Sequence, residues 1–197
     1  SRGLGDVYKR QVQGIGRKSD LLSRSGAQAG DAVYVSGTIG DGFLGLQAFG
    51  TATGGDGVSA YEAPVPQLAL GQALAGVASA CIDVSDGLAA DLDHICRASQ
   101  LAMEVEAMAV PLSAAGAAYA QGLGQLGTLL TGGDDYQLAF TVNAENEHKL
   151  KDIGRIANVA LTRIGAVSQS PEKHYAARFM DAKGAEIIFE NRGYTHL

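Results

Sequence analysis

Tryptophan is absent from this 197-residue chain, and its only cysteines are Cys81 and Cys96. Cys81 falls in an apolar run and Cys96 in a helical pattern, so both read as small core residues of a protein in a reducing cytoplasm, not as a disulfide. Histidine is sparse as well. His94, His148, His174 and His196 are scattered without zinc-ligand spacing, and each reads as packed or solvated. No apolar run reaches the roughly 18–20 residues that a membrane span needs, and no secretory pattern opens the chain. Bases are outnumbered, 15 against 21 acids for a net charge of −6, which speaks against a broad nucleic-acid surface. Phosphate ligands remain admissible, because divalent cations can bridge two anions.

What is present describes a globular protein: 46% hydrophobic and 18% charged residues, enough for one domain with a real core. Strand patterns cover 31–37, 81–84, 101–106 and 136–142, and a final run of three covers 160–169, 175–182 and 185–190. Helical patterns cover 41–49, 64–80, 87–99, 110–123 and 144–157, with a polar, Gly-rich loop over 50–60. Strands first alternate with helices and then come as a run, so the class is α/β shading to α+β, a mixed β-sheet packed with helices. Ser1 to Gln11, "SRGLGDVYKRQ", shares no periodicity with the rest and reads as a non-native leader, with the true protein extending upstream.

Three stretches carry chemistry. "GDGFLG" (40–45) matches G-x-G-x-x-G between a strand and a helix. The acid-tipped second strand of a dinucleotide fold does not follow it, so small residues that let a helix pack closely are the favoured reading. "TGGDDYQLAF" (131–140) places two acids after two glycines at the entry to a strand, which is either a plain acidic turn or a presented carboxylate pair. In "CIDVSDGLAADL" (81–92), Ser85 or Asp86 can cap the helix that follows. Capping leaves Asp83 unexplained, since strand propensity and burial both disfavour an acid there. Two carboxylates so close call for a positive charge between them, and Mg²⁺ with phosphate is the economical solution. The helix amino end and Ser85 could receive phosphate oxygens. Arg24, before a Gly turn in "LLSRSGAQAGD" (21–31), is a surface residue or a charge clamp on such a phosphate. No nucleophile–base pair is visible in the spacing.

In this order, "RSGAQAGDAVYVSGTIGD", "IDVSDGLAADLDHI", "TGGDDYQLAF" and the terminal "RGYTHL" resemble the C-terminal half of thiamine-monophosphate kinase, over residues 12–197. Single motifs are shared with the wider superfamily of aminoimidazole-ribonucleotide synthetase and selenophosphate synthetase. The resemblance implies the C-terminal domain of the aminoimidazole-ribonucleotide synthetase-like fold. It also implies ATP- and Mg²⁺-dependent phosphorylation of thiamine monophosphate to thiamine diphosphate. By the same resemblance Asp83 and Asp86 are metal-binding, Arg24 and Ser85 contact ATP, Asp134 binds the substrate, and Tyr194 lies against the thiamine. The family's N-terminal domain, through which its members pair as homodimers, is expected to be missing, so the chain alone is expected to be inactive. Two departures stand out: "YEAPVPQLALG" lacks the family's basic residues, and Gln137 replaces a common acid. The rival readings are another ATP-using synthetase of the superfamily and a non-catalytic nucleotide-binding module.

Overall fold

The computed structural model describes residues 16–17, 21–49, 58–170 and 172–194. The elements are β1 (Ala32–Ser36), α1 (Asp41–Ala48), α2 (Val58–Glu62), α3 (Leu68–Leu74), β2 (Ala80–Val84), α4 (Leu88–Ser99) and β3 (Ala102–Glu106), followed by α5 (Ala114–Tyr119), α6 (Leu123–Thr131), β4 (Gln137–Val142), α7 (Leu150–Ala157), β5 (Leu161–Ser168), β6 (Ala177–Met180) and β7 (Glu186–Ile187). The strands form one mixed sheet in the order β2-β4-β1-β5-β3-β6-β7, with β3 and β6 parallel and the other neighbours antiparallel. The mixed sheet expected from the sequence is therefore present. Among the described residues no helix is long and apolar enough to cross a membrane.

Alternation along the strands gives each face of the sheet its own core. Val33, Val35, Ile82, Val84 and Ala139 pack with Leu88, Leu92 and Ile95 of α4 and Leu126 and Leu130 of α6. On the other face Phe140 and Val142 meet Leu70 and Leu74 of α3 and Leu150 and Ile153 of α7, with Tyr34 stacked on Phe140. Helix α4 lies on the sheet because Leu88, Leu92, Ile95 and Cys96 recur on one stripe. Both cysteines are buried, and burial pushes each thiol up to about 12, as suits inert core residues.

Several expected boundaries move. The helix read over 64–80 contracts to α3, because Pro64 and Pro66 lack amide hydrogens and Gly76 turns the chain at φ 73. The one read over 110–123 becomes α5, capped by the Ser113 hydroxyl accepting from the Gly116 amide, and a separate α6 beyond Gly122. The helix read over 144–157 is regular only from Leu150, and the last two strands shorten to four and two residues. Residues 50–57 of the expected loop, and the expected leader, lie outside the described residues, while 58–60 belong to α2.

Asp135 answers the question raised by "GDGFLG". Its buried carboxylate accepts from the amide of Gly40 through both oxygens (3.0 and 2.9 Å) and from that of Gly42 at 2.9 Å, holding the start of α1. A side chain on Gly42 would collide with the carbonyl oxygen of Asp134, so only glycine lets the two segments meet. The close-packing reading of this motif is the one the fold bears out. A second buried acid, Asp93 of α4, ties down the C-terminal segment. Arg192 donates to it twice, Nε to Oδ2 at 2.6 Å and Nη2 to Oδ1 at 3.0 Å, while the Ala177 amide donates to Oδ1 at 2.8 Å.

Arg192→Ala leaves Asp93 buried with its main charge partner gone and should destabilise the fold by about 2 kcal/mol, the value of a charge-assisted bond to a buried acid with a partner one-third exposed. Arg192→Lys should restore only part of this, since an ammonium cannot reproduce the paired contact. Urea unfolding of both variants checks it, and unchanged stability of the alanine variant would contradict it.

Burial, reinforced by the charge of Asp41 and only partly offset by the backbone amides, pushes Asp135 up from its ordinary 3.8 to about 7. The folded state then holds this proton more tightly than the unfolded chain does. Its contribution is fully present below about pH 4 and lost as pH rises through about 7. Relative to Asp135→Asn, the unaltered protein should therefore lose melting temperature between pH 4.5 and 7.5. A difference that does not change with pH would contradict this.

Candidate functional site

β2 ends at Val84, and the next residues turn sharply into α4. The loop between α6 and β4 lies directly against that turn. The Asp134 amide donates to the Ser85 carbonyl at 3.0 Å and the Tyr136 amide to the Val84 carbonyl at 2.8 Å. On the other side the Tyr194 amide donates to the Asp86 carbonyl at 2.9 Å, so the C-terminal segment anchored by Arg192 reaches the same turn. Three segments far apart in the chain thus converge on "VSDG".

The six residues singled out in the sequence fall into two adjoining clefts. Arg24 and Asp83 line one, of about 630 Å³, with Leu22, Cys81 and Leu138 contributing its apolar wall. Ser85, Asp86, Asp134 and Tyr194 line the other, of about 540 Å³, with Phe43 across from them. Tyr136, which sequence reasoning did not single out, lines both. Asp83 is not buried, as its strand position had implied. Asp83 shares a face with Cys81, which is buried in the second core, but sits near the end of β2 where that face meets the cleft, while Ile82 and Val84 point into the first core. Alternation sets its face, and its place near the strand end sets its exposure.

The acids do not gather as one pair. Among the described residues the compact cluster is Asp86, Asp91 and His94, with ligand atoms all within 4.8 Å of one another, and Asp83 stands outside it. Asp91, buried in the first turn of α4, folds back so that Oδ2 accepts the amides of Ser85 (2.9 Å) and Asp86 (3.0 Å). Burial pushes it up to about 6 against those bonds, and the charges of Asp86 and Asp83 add to the rise. The signal for it was available: an acid at 91 interrupts the apolar stripe between Leu88 and Leu92. His94, one turn on, is lowered by burial and by the charges of Arg97 and Arg24, which places Arg24 electrostatically next to this cluster.

Two non-glycine residues of the converging loop hold left-handed backbone, Asp134 at φ 67 and Tyr136 at φ 50. Each costs on the order of 1 kcal/mol or more and persists only where neighbours fix it; here the bonds to Ser85 and Val84 do so. The Tyr136 hydroxyl donates to Oδ1 of Asp134 at 3.1 Å. Burial and the Asp134 charge raise the Tyr136 phenol, so it stays protonated as a donor.

Chemically, one cleft offers a guanidinium and a carboxylate over an apolar wall. The other offers a hydroxyl, two carboxylates and aromatic rings. Oxygen donors from Asp86 and Asp91, with Asp83 nearby, form a set that suits a hard divalent cation.

Comparison with known proteins places the chain in a family. Thiamine-monophosphate kinase of Haemophilus influenzae is 37% identical over 192 residues, covering 94% of this chain and 58% of that protein. The Escherichia coli K12 enzyme of the same name is 34% identical with the same coverage. The chain thus spans little more than half the length of the curated relatives it matches. The crystal structure of thiamine-monophosphate kinase from Stenotrophomonas maltophilia superposes with a TM-score of 0.74 at 33% identity, over 84% of this chain and 54% of that one. A structure described as AaThiL complexed with AMPPCP and TMP gives 0.70 at 26% identity, over 89% and 54%. The resemblance to thiamine-monophosphate kinases seen in the motifs therefore extends along nearly the whole chain. With residues 28–176 matching the model of the "AIR synthase related protein, C-terminal domain", this chain belongs to the AIR synthase related family.

Proposed function

We propose that this chain forms one wall of a thiamine-monophosphate kinase, an enzyme that transfers a phosphate from ATP to thiamine monophosphate and so makes thiamine diphosphate. The observation that carries the reading is the pair of adjoining clefts sharing Tyr136, one fit for a nucleotide and one for a flat, charged ring. A related structure with both AMPPCP and TMP bound supports it. In this reading Arg24 clamps the nucleotide's phosphates from the Asp83 side. Ser85 and the amino end of α4 receive phosphate oxygens that reach the turn. Asp83 and Asp86, with Asp91 and His94 at hand, would hold Mg²⁺, which neutralises phosphate charge. Asp134 and Tyr194 take the thiamine ring. Phosphoryl transfer of this kind rests on positioning and charge neutralisation, so no protein nucleophile is required. The working enzyme is a cytoplasmic homodimer whose pairing surface lies outside this chain.

A synthetase of the same superfamily, or a nucleotide-binding module, would bind AMPPCP without preferring thiamine monophosphate. Thermal stabilisation by each ligand, alone and together with Mg²⁺, separates these readings. Stabilisation by thiamine monophosphate supports the kinase. Stabilisation by the nucleotide alone would overturn it.

Tyr194→Ala should weaken thiamine monophosphate binding about ten-fold while sparing the nucleotide, because a stacked ring meets only one of the two ligands. Equal losses for both would reduce Tyr194 to a structural role. We further propose that residues 12–197 fold as the C-terminal domain but give no thiamine diphosphate with Mg²⁺ and ATP. One wall supplies few carboxylates, and Mg²⁺ sheds its waters reluctantly. Turnover comparable to that of an intact relative, measured as thiamine diphosphate formed, would refute this.

A further inference from the structure

Tyr136, within the TGGDDYQLAF stretch, is the residue on which the two clefts meet. Its ring lines both clefts and is 37% exposed, too open to serve as core packing. Its backbone is held at φ 50, a conformation rarely adopted by an aromatic residue, which turns the side chain outward at the first step into β4. Its hydroxyl donates to Oδ1 of Asp134 at 3.1 Å, and among the described residues this is the hydrogen bond that the Asp134 carboxylate receives. Its phenol also feels the charge of Asp83 across the partition.

We infer that Tyr136 is a positioning residue with two separable parts: a hydroxyl that fixes the Asp134 carboxylate toward the substrate cleft, and a ring that keeps the two ligands apart. The inference rests on the kinase reading above. With Oδ1 held by the phenol, Oδ2 is the oxygen left for a ligand. The carboxylate then faces a cleft bounded by the Tyr194 and Tyr136 rings. A carboxylate and aromatic faces together favour a flat organic cation over a neutral ring, because both contribute negative potential to the same space. The thiazolium of thiamine monophosphate is such a cation. On the other side the same ring borders Asp83 and Arg24, so removing it merges the spaces assigned to nucleotide and acceptor.

Tyr136→Phe removes the hydroxyl and keeps the partition; Tyr136→Ala removes both. Dissociation constants for thiamine monophosphate and for AMPPCP with Mg²⁺, taken by NMR titration into the millimolar range on the whole 197-residue chain, separate the two parts. The phenylalanine variant should bind thiamine monophosphate about five-fold more weakly, the value of one hydrogen bond, with AMPPCP unchanged. It should also discriminate less between thiamine monophosphate and the uncharged thiochrome monophosphate. The alanine variant should weaken both ligands. A phenylalanine variant that binds thiamine monophosphate like the unaltered chain, or that loses both ligands equally, overturns the positioning role while leaving the kinase reading in place. If the unaltered chain binds AMPPCP but not thiamine monophosphate, the kinase reading fails and this inference with it.

Discussion

The loop from Gly132 to Tyr136 is gripped by hydrogen bonds to two neighbouring segments, and the site depends on that clamp. On one side Asp135 sends its buried carboxylate into the amides that open α1. On the other, the amides of Asp134 and Tyr136 join the carbonyls of Ser85 and Val84. Asp134 and Tyr136, which make the second set of bonds, accept left-handed backbone, and both line the clefts. The strain is small beside the bonds that impose it, which is why a five-residue loop can place a carboxylate and a ring so definitely. The C-terminal segment is placed by the same logic: the Arg192–Asp93 pair fixes it, and Tyr194 follows.

The electrostatic character follows from the same convergence. Asp83, Asp86, Asp91 and Asp134 are drawn around one turn, and Asp91 is buried enough to be pushed up to about 6. An arrangement of acids this dense is costly without positive charge. Arg24 supplies some from the neighbouring cleft. In this account the low count of bases and the negative net charge go together with a phosphate-binding role.

Strand and helix identity was legible wherever periodicity was strong. Val33 and Val35 against Tyr34, and Leu88, Leu92 and Ile95 along α4, state their faces directly. Boundaries failed where local chemistry overrode the pattern, at Pro64, Pro66 and Gly122. The six motif residues were legible as types, but their division between two clefts was not, because it depends on a loop about 50 residues away packing against the end of β2. Asp83 shows this best: strand placement made it look buried, while its position at the cleft end of β2 leaves it exposed. Asp135 and Tyr136 were missed because the turn motif read as one acidic unit. Its first acid faces the cleft, its second faces inward to cap a helix, and the tyrosine that follows forms the partition.

The central claim is that two ligands occupy separate clefts that meet at Tyr136. Backbone amide NMR shifts of the chain, followed during separate additions of AMPPCP with Mg²⁺ and of thiamine monophosphate, test it most directly. The account predicts that the nucleotide moves signals around Arg24 and Asp83, that thiamine monophosphate moves those around Asp134 and Tyr194, and that Tyr136 responds to both. Two ligands that shift one and the same set of signals, with no residues distinguishing them, would contradict it.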